Sequence, residues 1–221
     1  MTCRQARLRS VILALADVSV VLRIGNVGQY ARMVEYDEWT ENLRMTTKHA
    51  DLADPVRPTD HVRGPSLAPV TIVEYGDFEC PTCRAAEPAV RMVLERSPNA
   101  VRLIYRHFPI ESAHPHALMA AEAAEAAAAQ GKFWQMHDLL MREGARLNRP
   151  ALDQYAADIS LDLPQFKASL DDEIYRQRVR EQMIGANRSH LRATPGFFVN
   201  GQVCDVSGGM HALADRVARL L

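Results

Sequence analysis

The stretch Val70-Thr71-Ile72-Val73-Glu74-Tyr75-Gly76-Asp77-Phe78-Glu79-Cys80-Pro81-Thr82-Cys83 decides the fold. Residues 70–75 are β-branched and aromatic, which predicts a strand. Their apolar residues do not alternate strictly, so both faces of that strand are expected to be buried. Gly76 to Glu79 read as a turn. From Cys80 a helix is expected: Pro81 suits a first helical turn, and Ala85, Ala86, Ala89, Val90 and Val93 recur at helical spacing. Ser97-Pro98-Asn99 ends it.

Working outward, Val101 to Tyr105 predicts a second strand, closed by Phe108-Pro109 because proline has no N–H for a ladder. Residues 113–190 read as helical throughout, broken at Gly131, with Pro150 and Pro164 at helix starts. In the charged segment 171–190 the apolar marks are Ile174, Val179 and Ile184. Gly196 to Val199, the turn Asn200-Gly201 and Gln202 to Cys204 predict a hairpin. A last helix carries Met210, Leu213, Ala214, Val217 and Leu220 on one face. Upstream, residues 51–69 are rich in Pro, Asp and Gly and read as a linker or loop. The expected fold class is α/β: a mixed sheet of four to five strands covered by helices. That element order resembles the thioredoxin fold with a helical subdomain inserted at about 112–191. Residues 1–59 are expected to be an N-terminal extension and linker, and residues 60–221 the domain.

The chain has 221 residues and a net charge of −1. No basic excess points to nucleic acid. Arg4, Arg7 and Arg9 precede an apolar stretch from Val11 to Leu22, loosely like a secretory signal. Asp17 interrupts it, no small-residue cleavage site follows, and it is too short to span a bilayer. No stable membrane insertion is therefore expected. Met45 would also serve as a start, since every recognisable feature lies after it.

Of the four cysteines, Cys3, Cys80, Cys83 and Cys204, only Cys80 and Cys83 are paired by spacing. Two thiols two residues apart at a helix start can close a small disulfide ring. Exchange needs a thiolate. At a helix N-terminus the macrodipole and free N–H groups favour the Cys80 thiolate. Cys83, one turn further in, is expected to be more buried and to act as the resolving thiol. The competing reading is half a zinc site, with His107, His114 or His116 as further ligands. No second Cys-x-x-Cys exists, and His114-Pro115-His116 reads as the start of the alanine-rich helix. No metal is expected. Glu74, mid-strand and six residues before Cys80, is expected beneath the pair, where it could exchange the Cys83 proton. Otherwise it would be a strand-end carboxylate facing solvent. Asp77 and Glu79 read as solvated turn residues, and Cys204 as a small buried core residue.

From about Asp60 onward the sequence resembles the DsbA-like branch of the thioredoxin superfamily. The resemblance is carried by Val73 through Cys83, then Tyr105-Arg106-His107-Phe108-Pro109, His114-Pro115 and the alanine run. Gln130-Gly131-Lys132-Phe133-Trp134, His137-Asp138 and Thr194-Pro195-Gly196-Phe197-Phe198-Val199-Asn200-Gly201 complete it. It implies a thiol–disulfide oxidoreductase with Cys80 and Cys83 as catalytic pair, and no cofactor beyond the redox-active disulfide Cys80–Cys83. It also implies a cis bond at Thr194–Pro195, facing Cys80 across a substrate groove to which Pro81 and Thr82 contribute. The backbone of Thr194 would pair with an extended substrate. Implied partners are thiol- or disulfide-bearing proteins and an unidentified redox partner. The strongly oxidising members carry Pro-His between the cysteines, where this chain has Pro81-Thr82. Thr82 supplies no imidazolium, so a couple less oxidising than about −120 mV is expected. The resemblance extends to members that stand alone in the cytoplasm and to members that follow a sodium/proton antiporter domain. A cytoplasmic location is expected, or a periplasmic or extracellular one if residues 1–25 act as a signal. Two alternatives accompany this reading: a redox-sensing module associated with a membrane transporter or regulator, and a glutathione-dependent isomerase of the same fold.

Overall fold

β2, Val70–Gly76, is the strand on which the rest is built. In the computed structural model, which describes residues 51–221, it pairs in parallel with β3 (Val101–His107) and antiparallel with β4 (Gly196–Val199). β1 (His61–Arg63) extends the sheet beyond β3, and β5 (Gln202–Cys204) extends it beyond β4. The order is β1-β3-β2-β4-β5. Asn200 and Gly201 both have positive φ, 49° and 79°. Those angles are what a two-residue turn of the twist-compatible kind requires, hence Asn-Gly there.

The lack of alternation in β2 has its cause in two covered faces. Val70 and Ile72 pack with Ala86 and Val90 of α1 (Pro81–Arg96) and with Leu213 and Val217 of α7 (His211–Ala218). Val73 and Tyr75 pack on the other face with Leu52, Phe198 and Ala186. Strand side chains alternate, so Glu74 shares the face of Val70 and Ile72, beneath α1.

The helical block is five separate helices. They are α2 (Ala117–Ala128), α3 (Phe133–Glu143), α4 (Arg149–Asp158), α5 (Leu163–Asp171) and α6 (Arg176–Arg188). Asn148 and Asp162 cap α4 and α5 by accepting from the N–H groups of Ala151 and Gln165. Pro150 and Pro164 sit at the starts of these helices, as expected. The alanines of α2 let it lie inside a cluster with Phe133, Met136, Leu140 and Phe166. Only Val179 of the three apolar marks in 171–190 is buried; Ile174 and Ile184 are each 56% exposed. The anchoring of α6 is polar instead, through Arg176 to Glu122 and Arg178 to Glu125.

Residues 51–69 are more than a linker. They contain β1, and the part before it is strapped to the sheet by Arg106. Its guanidinium bonds both Asp60 carboxylate oxygens, the carbonyls of Asp54 and Pro55, and the Tyr75 hydroxyl. Arg106 is 3% exposed, so each bond replaces water that the interior has removed. The sequence readings for residues 1–50, including the apolar stretch, Cys3 and Met45, lie outside the described residues. Among the described residues no helix is long and apolar enough to cross a membrane.

Candidate active site

Cys80 is the residue that opens α1, with extended backbone angles, and Pro81 follows in the first helical turn. The sequence builds this locally: the Cys80 N–H donates to the Asp77 carbonyl at 3.2 Å, closing the turn that leaves β2. Helix geometry then places Cys83 inward. Cys83 has no exposed surface, while Cys80 retains 7%. Gly76 permits the close approach of Tyr105 beneath this turn, since a Cβ there would lie 2.6 Å from the Tyr105 ring.

Both thiols are free. The neighbouring Cys83 thiol is the largest of the influences that hold the Cys80 pKa down to about 4, against burial. The hydroxyls of Thr194 and Thr82 and the Cys83 N–H add to it. The adjacent Cys80 sulfur, with burial and the charge of Glu74, drives the Cys83 thiol far above its ordinary range. One thiol is therefore poised as an anion and its neighbour as an acid. The Asp77 N–H also donates to the Cys83 sulfur, at 3.5 Å.

Glu74 is 1% exposed, and neither carboxylate oxygen has a hydrogen-bond partner. Burial, with the nearby charge of Glu87, raises its pKa to about 8. It is therefore the buried carboxyl the sequence suggested, and not a solvent-facing strand end. The Thr194–Pro195 bond is cis. The Thr194 carbonyl accepts from the Thr82 hydroxyl at 2.8 Å and lies 3.5 Å from the Cys80 sulfur. Thr82, Thr194 and Cys80 thus meet at one point, with Pro81 exposed beside them.

The thioredoxin family model matches residues 56–215. This chain belongs to the thioredoxin family. A thioredoxin-like oxidoreductase from Silicibacter pomeroyi superposes with a TM-score of 0.67 at 30% identity, over 76% of this chain and 95% of that one. BdbD from Bacillus subtilis superposes with 0.69 at 20% identity, over 78% and 98%, which speaks to the fold alone. In sequence the chain is 49% identical over 168 residues to a Na(+)/H(+) antiporter, NhaA 1 of Salinispora arenicola. It is 51% identical over 153 residues to NhaA 3 of Salinispora tropica. These matches cover 76% and 69% of this chain but 26% and 23% of the relatives. The chain spans about a quarter of the length of the curated relatives it matches.

Within this thioredoxin-family site, two expectations need correction. Asp77 is not solvated: it is 2% exposed, and its carboxylate accepts from the N–H groups of Glu79 and Ile110 and meets His114 Nδ1 at 2.7 Å. Glu79 is half-buried and meets His116 Nδ1 at 3.0 Å and the His116 N–H at 2.7 Å. Turn composition suggested solvent, but the segment between β3 and α2 folds over the turn and covers it. Sequence reasoning also missed Glu87, one helical turn beyond Cys83 and 8% exposed. The i, i+4 spacing from Cys83 was the available signal.

The histidines weighed as metal ligands go elsewhere. His107 and His61 both approach Glu125 Oε1, at 3.2 and 3.0 Å, while Arg178 forms an ion pair with Oε2. Glu87, His137 and Asp138 form a second group with ligand-like spacing, in which Arg91 bonds Glu87 and Asp138. Neither group includes Cys80 or Cys83.

Proposed function

We propose that this chain exchanges disulfides with protein or peptide substrates through Cys80 and Cys83. The observation that carries the reading is the placement of the two thiols: Cys80 opens α1 with a small exposed edge 3.5 Å from the carbonyl of the cis Thr194–Pro195 unit, and Cys83 lies fully buried one turn further in. In the reducing direction the Cys80 thiolate attacks one sulfur of a substrate disulfide. A mixed disulfide forms and the other substrate sulfur leaves as thiolate. Glu74 in its anionic form takes the Cys83 proton. The Cys83 thiolate then attacks Cys80, the mixed disulfide breaks, and the Cys80–Cys83 disulfide forms as the second substrate thiolate departs. The oxidising direction is the same sequence reversed. Thr194, Pro195, Pro81 and Thr82 line the groove in which an extended substrate would lie, with the Thr194 backbone as its pairing edge. No further cofactor takes part.

The test is insulin reduction and oxidative refolding of a thiol substrate by the parent and by Cys80→Ser. Loss of both activities is expected. Full activity in the variant would overturn the reading. The direction of electron flow follows from equilibration against glutathione buffers. A potential near about −270 mV fits a reductase suited to the cytoplasm, and one near about −120 mV an oxidant for an exported protein. The cytoplasmic assignment predicts the former.

A second reading, a redox-responsive module that works with a membrane transporter, draws support from the antiporter relatives. It predicts a partner whose binding depends on the Cys80 oxidation state, without substrate turnover.

A further inference from the structure

Thr82 occupies the place where an imidazole between the cysteines would support the nucleophile. The fold brings an imidazole to the same site from elsewhere. His114 lies in the segment between β3 and α2, with its side chain 18% exposed and its Nδ1 2.7 Å from Asp77 Oδ2. The Asp77 side chain has no exposed surface. Asp77 touches both cysteines through its backbone: its carbonyl accepts from the Cys80 N–H, and its N–H donates to the Cys83 sulfur. One residue therefore links His114 to the whole active-site turn.

The charges make this placement consequential. A buried carboxylate three residues before the nucleophile opposes its thiolate. With His114 protonated, the pair is neutral; with His114 neutral, the Asp77 charge stands alone. The groups facing His114 are Asp77, Glu79 and the Cys80 sulfur from the turn, with His116 two residues along and itself held by Glu79. Burial works against the His114 cation. The bond to Asp77 and the charges of Asp77, Cys80 and Glu79 outweigh burial and lift its pKa above the ordinary value.

We propose that His114 is a positioning residue that supplies the positive charge supporting the Cys80 thiolate, acting through its ion pair with buried Asp77. This rests on the reading of Cys80 as nucleophile. The covalent steps are unchanged, and His114 forms no bond to substrate. Because the thiolate favours the His114 cation, the two couple reciprocally. The dithiol form binds the His114 proton more tightly than the disulfide form. The reduction potential therefore falls more steeply with rising pH between the two His114 pKa values.

The test is titration of the Cys80 thiolate by its ultraviolet absorbance in the full chain. His114→Gln keeps a polar side chain but loses the cation, and the Cys80 pKa rises by about one unit, or about tenfold less thiolate below it. Asp77→Asn combined with His114→Gln restores a neutral pair and returns the value toward the parent. A merely structural role predicts a double variant more perturbed than the single one. A Cys80 pKa unchanged in His114→Gln, or a double variant no closer to the parent, overturns the proposal. The same question is put to the unaltered protein by NMR titration of His114 in the dithiol and disulfide forms. A higher value in the dithiol form is expected, and equal values overturn the proposal. That comparison needs no turnover, so it judges His114 even if Cys80→Ser retains activity and the functional reading fails.

Discussion

The Thr82 hydroxyl oxygen lies 2.9 Å from the Cys80 sulfur. It also donates to the Thr194 carbonyl at 2.8 Å, so one hydroxyl hydrogen has two acceptors. As Cys80 becomes a thiolate, the charged acceptor gains. Thr82→Val keeps the shape and removes the donor. The Cys80 pKa is expected to rise by under one unit, in keeping with about 0.5–1.5 kcal/mol for such a bond. Thiolate absorbance against pH reads it directly, and an unchanged midpoint would show that the hydroxyl serves Thr194 alone.

Glu74 couples stability to pH with the sign opposite to most carboxylates. Its folded pKa is near 8, against an ordinary 4.5. The folded chain keeps a proton that the unfolded chain releases, so stability is full below about 4.5 and declines as pH rises toward 8. Glu74→Gln removes that loss. It is expected to be more stable than the parent at pH 8 by a few kcal/mol on the order-of-magnitude linkage scale. It should also resolve mixed disulfides about a hundredfold more slowly, the usual cost of losing a proton acceptor. Urea unfolding at several pH values and single-turnover product release measure the two effects. A variant no more stable than the parent at pH 8 would show that Glu74 is not held protonated.

Arg106 is expected to be the most sensitive surface-remote position. Arg106→Met removes the bonds to Asp60, Asp54, Pro55 and Tyr75 while keeping an apolar stem. Asp60 is then left buried without its cation, at a cost of about 3–5 kcal/mol. Denaturant unfolding should show that loss, and limited proteolysis should cut residues 51–60 first. Equal stability would mean that the strap contributes nothing.

Glu125 carries the usual acid sign. Burial alone would raise its pKa, but the closeness of His107 and His61 holds it well below 4.5. Its contribution is present above 4.5 and is lost as pH falls through the folded value. Glu125→Gln should cost about 2–4 kcal/mol at neutral pH, since Arg178 and two histidines lose their shared anion. Its disadvantage should shrink as pH falls below about 4. A constant difference from pH 7 to acid would rule out a depressed Glu125.

The chain alone determined the frame of this molecule. β-branched runs at 70–75 and 101–105, Asn200-Gly201 and the helical spacing after Cys80 are local signals, because each element is specified by its own residues. The same holds for Cys80 and Cys83, whose i, i+3 spacing at a helix start already implies that Cys83 is the deeper thiol. What the sequence left unread was the partner of each polar side chain. β1 is three residues long and exists through its pairing with β3, about forty positions away. Asp77 and Glu79 look like turn residues until His114 and His116 fold over them from 37 positions further on. Burial and charge pairing are properties of the assembled volume, so only the tertiary structure decided which carboxylates are dry and which imidazole reaches the active-site turn.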